Sequence, residues 1–228
     1  MNDLNEYDQP LGRLVDTPLP RPLPDQRVLE GHHVTLVPMA PEHAAGFFEC
    51  FTDKAGWTYL GDDEPFSSLS AAQDWTKSRA ASRDPLFYTV LQNGQPKGFC
   101  SFLRITPAHG VIEIGYIHFS PALQGSPATT EVQYLMMRHV FEDLGYRRYE
   151  WKCNALNAPS RRAAERLGFT FEGIFRQAQV NKGRNRDTAW YSILDHEWPA
   201  QRARFEAWLN PANFDRKGRQ KIRLADLP

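Results

Sequence analysis

The chain is 228 residues long and 41% hydrophobic, enough for a sizeable core without calling for a second full domain. Its 27 basic and 27 acidic side chains cancel, so the basic excess that nucleic-acid binding uses is missing and DNA is not an expected partner. No stretch approaches the roughly 20 apolar residues that span a bilayer, and no basic-then-apolar leader opens the chain, so neither membrane insertion nor export is expected. Cys50, Cys100 and Cys153 are odd in number, far apart and set in mixed or apolar sequence. That pattern fits neither a disulfide framework nor a zinc ligand set, so a reducing cytoplasm and no metal are expected.

Residues 1–27 hold Pro10, Pro18, Pro20, Pro22 and Pro24, and read as an extension running extended over the surface. The body starts near Val28, and Leu29–Pro38 reads as a turn entering a short strand with Val34 and Leu36 inward. Pro41 opens a helix whose apolar face is Ala44, Ala45, Phe47, Phe48 and Phe51. A second helix is expected over Ser70–Ser82, capped by Ser70 and packed through Ala71, Trp75 and Ala80. The aromatic and acidic stretch WTYLGDDEPF between them is either a pinned surface loop or a substrate-facing one.

Leu86–Leu91 and Lys97–Leu103 flank Asn93-Gly94, a pair that accepts the positive φ of a tight hairpin turn. Val111–Phe119 extends the meander. The apolar period then changes from two to about 3.6, with Val132, Leu135, Met136 and Val140 on one helical face ended by Gly145. Tyr149, Trp151 and Cys153 alternate in the next strand, Asn157 or Ser160 caps a short helix closed by Gly168, and a final hairpin turns around Asn181–Asn185. Trp198–Leu209 reads as a docking helix and residues 210–228 as a basic tail without pattern. Antiparallel strands followed by alternating helices and strands make a mixed α/β (α+β) layer architecture.

Two segments concentrate the chemistry. Gln124-Gly125-Ser126-Pro127-Ala128-Thr129-Thr130, just before a helix, is either an ordinary helix start or a cradle whose backbone N–H groups hold an anion. It lacks the lysine of a phosphate loop and the spacing of a dinucleotide fingerprint. Asn157 to Phe169, with Ser160 and Leu167-Gly168-Phe169, is the second.

Together these residues resemble the Gcn5-related N-acetyltransferase superfamily, in particular its branch of ribosomal-protein N-terminal acetyltransferases, over residues 28 to about 198. The resemblance implies an acyl-coenzyme A fold, a strongly twisted mixed sheet with helices on both faces, and transfer of acetyl from acetyl-coenzyme A to an amine within a ternary complex. It makes 28–198 the acetyltransferase domain, 1–27 an extension and 199–228 a helix and tail. The implied cofactor contacts are Gln124, Gly125, Ser126, Ala128, Thr129 and Thr130 at the diphosphate, Ile117, His118 and Phe119 along the strand, and Asn157 and Ser160 at the pantetheine. The family's usual second glycine is Pro127 here, which removes one N–H from the cradle.

An ammonium must lose a proton before it attacks, and Glu113 at the start of EIGYIHF is the first candidate to take it, with a salt-bridged strand glutamate as the alternative. His118 is a second candidate base. A backbone N–H within Ile117–Phe119 would stabilise charge on the carbonyl oxygen, and the resemblance places the Ser160 hydroxyl near the departing sulfur. Trp57, Tyr59, Asp62, Asp63 and Glu64 are the expected acceptor contacts, drawing in a cationic amine. The acceptor expected from the resemblance is a peptide or protein N-terminus. A small amine, a polyamine or an amine-bearing antibiotic suits the same residues, and a non-catalytic coenzyme A-binding or structural protein is the rival class; a monomer or a homodimer is expected.

Overall fold

The computed structural model describes residues 3–227. Its elements in chain order are β1 (Leu29–Glu30), β2 (Thr35–Pro38), α1 (Ala44–Cys50), α2 (Leu69–Ala81), β3 (Leu86–Gln92), β4 (Gln95–Thr106), β5 (Val111–Phe119) and α3 (Pro127–Arg138), then β6 (Arg148–Asn154), α4 (Ala158–Arg166), β7 (Thr170–Asn181), β8 (Arg184–Leu194) and α5 (Trp198–Leu209). The strands form one eight-stranded sheet in the order β1-β2-β3-β4-β5-β6-β8-β7. Only the β5–β6 pair is parallel among these neighbours. A parallel pair needs a crossover connection, and α3 supplies it.

Alternation along the strands divides the apolar side chains between two layers. Tyr88, Cys100, Phe102 and Ile112 face the larger core with α3 and α5, while Phe87 and Phe99 face a smaller aromatic cluster with Phe47, Phe51 and Trp57. Helices therefore cover both faces of a mixed sheet, as expected. The β3–β4 turn is Asn93-Gly94, both with positive φ, also as expected. The second helix starts earlier than the sequence suggests: Ser68, not Ser70, accepts the Ala71 N–H and caps α2. Ala72 and Thr76 are its fully buried positions, and Ala71, Trp75 and Ala80 are partly covered.

Residues 3–28 run almost without regular structure, apart from an isolated bridge between Leu4 and Pro10. They are held at points such as the Asp25 carbonyl, which accepts from the Tyr88 hydroxyl. The C-terminal tail is more closely attached than its composition suggests. Asn213 donates to the carbonyls of Trp208 and Ile222, Trp208 Nε1 donates to Gln220, and Leu224 is buried.

Glu131, in the second turn of α3, pins the first hairpin. Its carboxylate accepts the backbone N–H groups of His32, His33 and Val34 at 2.8, 2.6 and 2.9 Å. Hydrogen bonds to a charged acceptor are stronger than neutral ones, and losing one of several in a buried place leaves donors unpaired. Glu131→Gln puts a donor where an acceptor stood and is expected to cost about 2 kcal/mol, read as a lower urea midpoint at unchanged slope.

His118 lies inside the aromatic cluster, against Phe51, Trp57 and Phe99 at ring separations of 4.4, 4.9 and 5.6 Å. Burial pushes its imidazole down from 6.5 to about 4. Between these values the unfolded chain binds a proton that the folded one refuses, so stability falls as the pH drops from about 6.5 toward about 4. At pH 5 the loss relative to neutral is about 2 kcal/mol by linkage. His118→Leu, unfolded by urea at pH 7 and pH 5, is expected to show a correspondingly smaller loss between the two.

Candidate functional site

The sheet opens at its centre. β5 and β6 pair from Val111 opposite Arg148 to Ile114 opposite Trp151, and there the pairing stops although β5 continues to Phe119 and β6 to Asn154. Past Ile114 the facing strand edges carry backbone N–H and C=O groups with no partner strand. The opposite edge of β5 bulges: Ser101 pairs with Gly115 and Phe99 with His118, so Tyr116 and Ile117 face one residue of β4, and Tyr116 takes a positive φ of 48°. A cavity of about 270 Å³ occupies the parting. Glu113 and Ile117 line it from β5, Trp151, Lys152 and Cys153 from β6, and Asn157 and Ser160 from the start of α4.

Glu113 is buried at the bottom of this cleft in a chain of alternating charges. Arg104 Nη1 donates to both its oxygens at 2.7 Å, and Lys152 Nζ lies 2.9 Å from Oε2. The same Lys152 reaches Glu150 Oε2 at 2.6 Å, and Arg148 joins Glu150 to Glu172. Burial raises the Glu113 carboxyl above its ordinary value, while Lys152 and Arg104 pull it back. Arg104 holds a left-handed backbone, φ 47°, because the Asp84 carboxylate accepts the N–H groups of Arg104 and Ile105. Of these residues only Glu113 stood out in the sequence. The signal for Lys152 was available in Tyr149-Glu150-Trp151-Lys152-Cys153, where the apolar residues alternate with the two charged ones.

Across the cleft, Asn157 caps α4 by accepting the Ser160 N–H at 3.1 Å. The Ser160 hydroxyl accepts from Trp151 Nε1 at 3.1 Å, which leaves its own proton free to donate. Burial raises all three cysteine thiols, Cys50 to about 11 and Cys100 to about 12, so none is poised as a nucleophile. Among the described residues no three His, Cys, Asp or Glu side chains gather as a metal site.

The Gly125–Thr130 turn lines a second cavity of about 600 Å³, together with Arg166, Trp208 and the tail residues Gly218 to Gln220. Gly125 has φ 70° and Pro127 is the first residue of α3. At that position the missing N–H of proline costs no helical bond, so the departure at Pro127 is mild. The N–H groups of a helix's first turn have no intrahelical acceptor, and the Ser126 side chain does not cap them: its hydroxyl donates to the Leu123 carbonyl instead. Thr129 lines the cavity at the positive end of α3, where an anion is favoured, whereas Ala128, an expected contact, is 1% exposed in the core and does not line it. Thr130 Oγ1 accepts from the Arg166 guanidinium, which brings a cation to the same place.

Other expected contacts are arranged differently. The Gln124 side chain donates to the Phe119 carbonyl, joining the turn to the end of β5 rather than facing the cavity. The His118 ring is packed away among aromatics, so only its backbone is near the strand edge. Trp57 is a core residue, 1% exposed, and Asp63 is tied to Arg79 and to Trp75 Nε1. Their apolar and ionic partners lie within the α1–α2 layer, which the sequence order could not reveal. Tyr59 and Asp62 do line the cleft, and Trp57, Tyr59 and Glu64 line an adjoining groove of about 460 Å³ bordered by the tip of the β7–β8 hairpin. Asp62 accepts the Lys182 N–H and Glu64 pairs with Lys182 Nζ at 3.1 Å, so all three acids are already engaged.

Residues 33–170 match the family model described as an acetyltransferase (GNAT) domain. A GCN5-related N-acetyltransferase from Brucella melitensis superposes with a TM-score of 0.90 at 46% identity, over 92% of this chain and 97% of that one. A GNAT-family protein from Chromobacterium violaceum ATCC 12472 gives 0.78 at 38% identity, over 84% and 98%. The ribosomal-protein-serine acetyltransferase of Escherichia coli (strain K12) is 28% identical over 111 residues, 48% of this chain and 62% of that protein. With a parted sheet, an open helix start and this similarity in hand, the chain belongs to the GNAT acetyltransferases, enzymes that transfer acetyl from acetyl-coenzyme A to an amine.

Proposed function

We propose that the acceptor is the α-amine of a peptide or protein N-terminus, and that it attacks in the cleft between β5 and β6. The observation that carries this reading is the meeting of two spaces. The groove beside the β7–β8 hairpin shares Tyr59, Gly61, Asn181 and Arg186 with the cleft that holds Glu113 and Ser160. At about 270 and 460 Å³, the two joined spaces offer a chain end more room than a compact amine fills. The similarity to an enzyme named for a ribosomal-protein serine points the same way. An α-amine, with a pKa of about 8, is also cheaper to deprotonate than a lysine at about 10.4, a difference of roughly 3 kcal/mol.

Acetyl-coenzyme A supplies an activated acyl group, and the protein's part is to position, deprotonate and stabilise. Glu113 receives the ammonium proton through water, since its oxygens already accept from Arg104 and Lys152 and the two cations fix its orientation. Unpaired N–H groups on the β5 edge beyond Ile114 stabilise negative charge developing on the carbonyl oxygen. The free proton of Ser160 is donated toward the departing sulfur. Thr129 and Arg166 hold the diphosphate at the start of α3.

A panel of short peptides and amines assayed by thiol release tests the acceptor class, and peptide N-termini are expected to exceed lysine side chains and polyamines. Glu113→Gln is expected to lower kcat about 100-fold, within the usual range for a lost proton acceptor, while KM for acetyl-coenzyme A stays within about twofold. Rates equal to wild type from pH 6 to 9 would remove Glu113 from this role. Arg166→Ala is expected to weaken coenzyme A binding about tenfold in calorimetry, with a shallower salt dependence, because one charge-assisted contact to phosphate is gone.

A further inference from the structure

The charge of the acceptor space is opposite to the sequence expectation. Six basic and three acidic side chains line the cleft and its adjoining groove, and the acids are taken: Asp62 and Glu64 by Lys182, Glu113 by Arg104 and Lys152. Arg186 stands where the two spaces join and lines both. Its guanidinium makes one side-chain hydrogen bond among the described residues, Nη1 to Asn181 Oδ1 at 3.2 Å, and no carboxylate lies within ion-pair distance. Nε is buried and has no acceptor. The nearest acid along its strand, Asp187, is turned to the other side and accepts from the Gln177 N–H and the Asn185 amide.

Leaving a partly desolvated guanidinium without an anion is costly, and arginine stays charged under such conditions. Arg186 is placed there by strand alternation. Arg186, Thr188 and Trp190 follow at every second position, and Trp190 lies under Lys152, whose Nζ is 3.7 Å from the ring centroid. The coenzyme's diphosphate does not explain it, because the cradle at Gly125–Thr130 lines a separate cavity with its own cation, Arg166.

We propose that Arg186 is an anion subsite that selects acceptors carrying a carboxylate close to the reacting amine. This rests on the reading above that an α-amine is acetylated in the cleft, and it narrows which α-amines enter. The planar fork of arginine matches a carboxylate with two parallel hydrogen bonds. A carboxylate there satisfies the idle donors of Arg186 and places the amine of the same molecule over Glu113. The shared chemistry has two sources, an acidic side chain near a peptide N-terminus or the α-carboxylate of a free amino acid.

The test compares kcat/KM for the peptides Ser-Asp-Ala-Ala-amide and Ser-Asn-Ala-Ala-amide, and for free serine against ethanolamine, in the wild type and in Arg186→Gln. The wild type is expected to favour the acidic member of one pair by roughly 10- to 100-fold, the range of a bidentate charged hydrogen bond, and the pair that shows it identifies the source. In Arg186→Gln that ratio is expected to fall toward one. Equal rates within both pairs for the wild type, or a preference that survives the substitution, would overturn the subsite while leaving the acetylation of α-amines standing. Calorimetry with the acidic peptide in the presence of coenzyme A separates the remaining case. Binding at least tenfold tighter to the wild type than to Arg186→Gln supports the subsite even where no peptide is acetylated, an outcome that sinks the acceptor reading. Equal binding by both proteins overturns the subsite.

Discussion

Glu113 and Glu150 are register partners on the parallel strands β5 and β6, two carboxylates side by side under the site. Buried together they would repel, and neither strand could hold its place. Lys152 lies between them and is bonded to both, with Arg104 on the outer flank of one and Arg148 on that of the other. The resulting chain is neutral when Glu172 is counted, and this pairing is what makes burial of so many charges tolerable. The cleft exists because the strands are clamped together below it and released above Ile114.

That arrangement gives one group two duties. Glu113 belongs to the clamp and also lines the cleft, so the charge pattern that fixes the strands also fixes the orientation of a carboxylate facing the cleft. Arg104 contributes from a left-handed backbone held by Asp84, a local strain maintained by two hydrogen bonds. The opposite wall is simpler. Asn157 satisfies the first turn of α4, and Trp151 occupies one side of the Ser160 hydroxyl, so its proton can only point elsewhere.

The start of α3 works by omission. A helix start ordinarily has its amides capped, and at α3 the Ser126 hydroxyl turns back to Leu123 instead. Pro127 fits the first helical position, which explains how a turn that lacks the family's second glycine keeps its open amides. The tail contributes a wall to the cavity there, held by the Asn213 side chain and by Trp208 with Gln220.

The periodicities and punctuation of the chain determined most of the framework. Alternation in the strands, the Asn93-Gly94 turn, the 3.6-residue stripe of α3 and the caps at Asn157 and Gly168 are local properties, and local physics writes them into adjacent residues. The two motifs at Gln124–Thr130 and Asn157–Phe169 likewise lie within single segments. Which charges meet was decided by tertiary structure alone. The pairings of Arg104 with Glu113, Asp63 with Arg79 and Glu64 with Lys182 join segments whose separation in sequence says nothing about their separation in space. For that reason an acidic loop that looked ready to attract an amine is already engaged, and Arg186, beside a hairpin tip, is left as a cation without an anion.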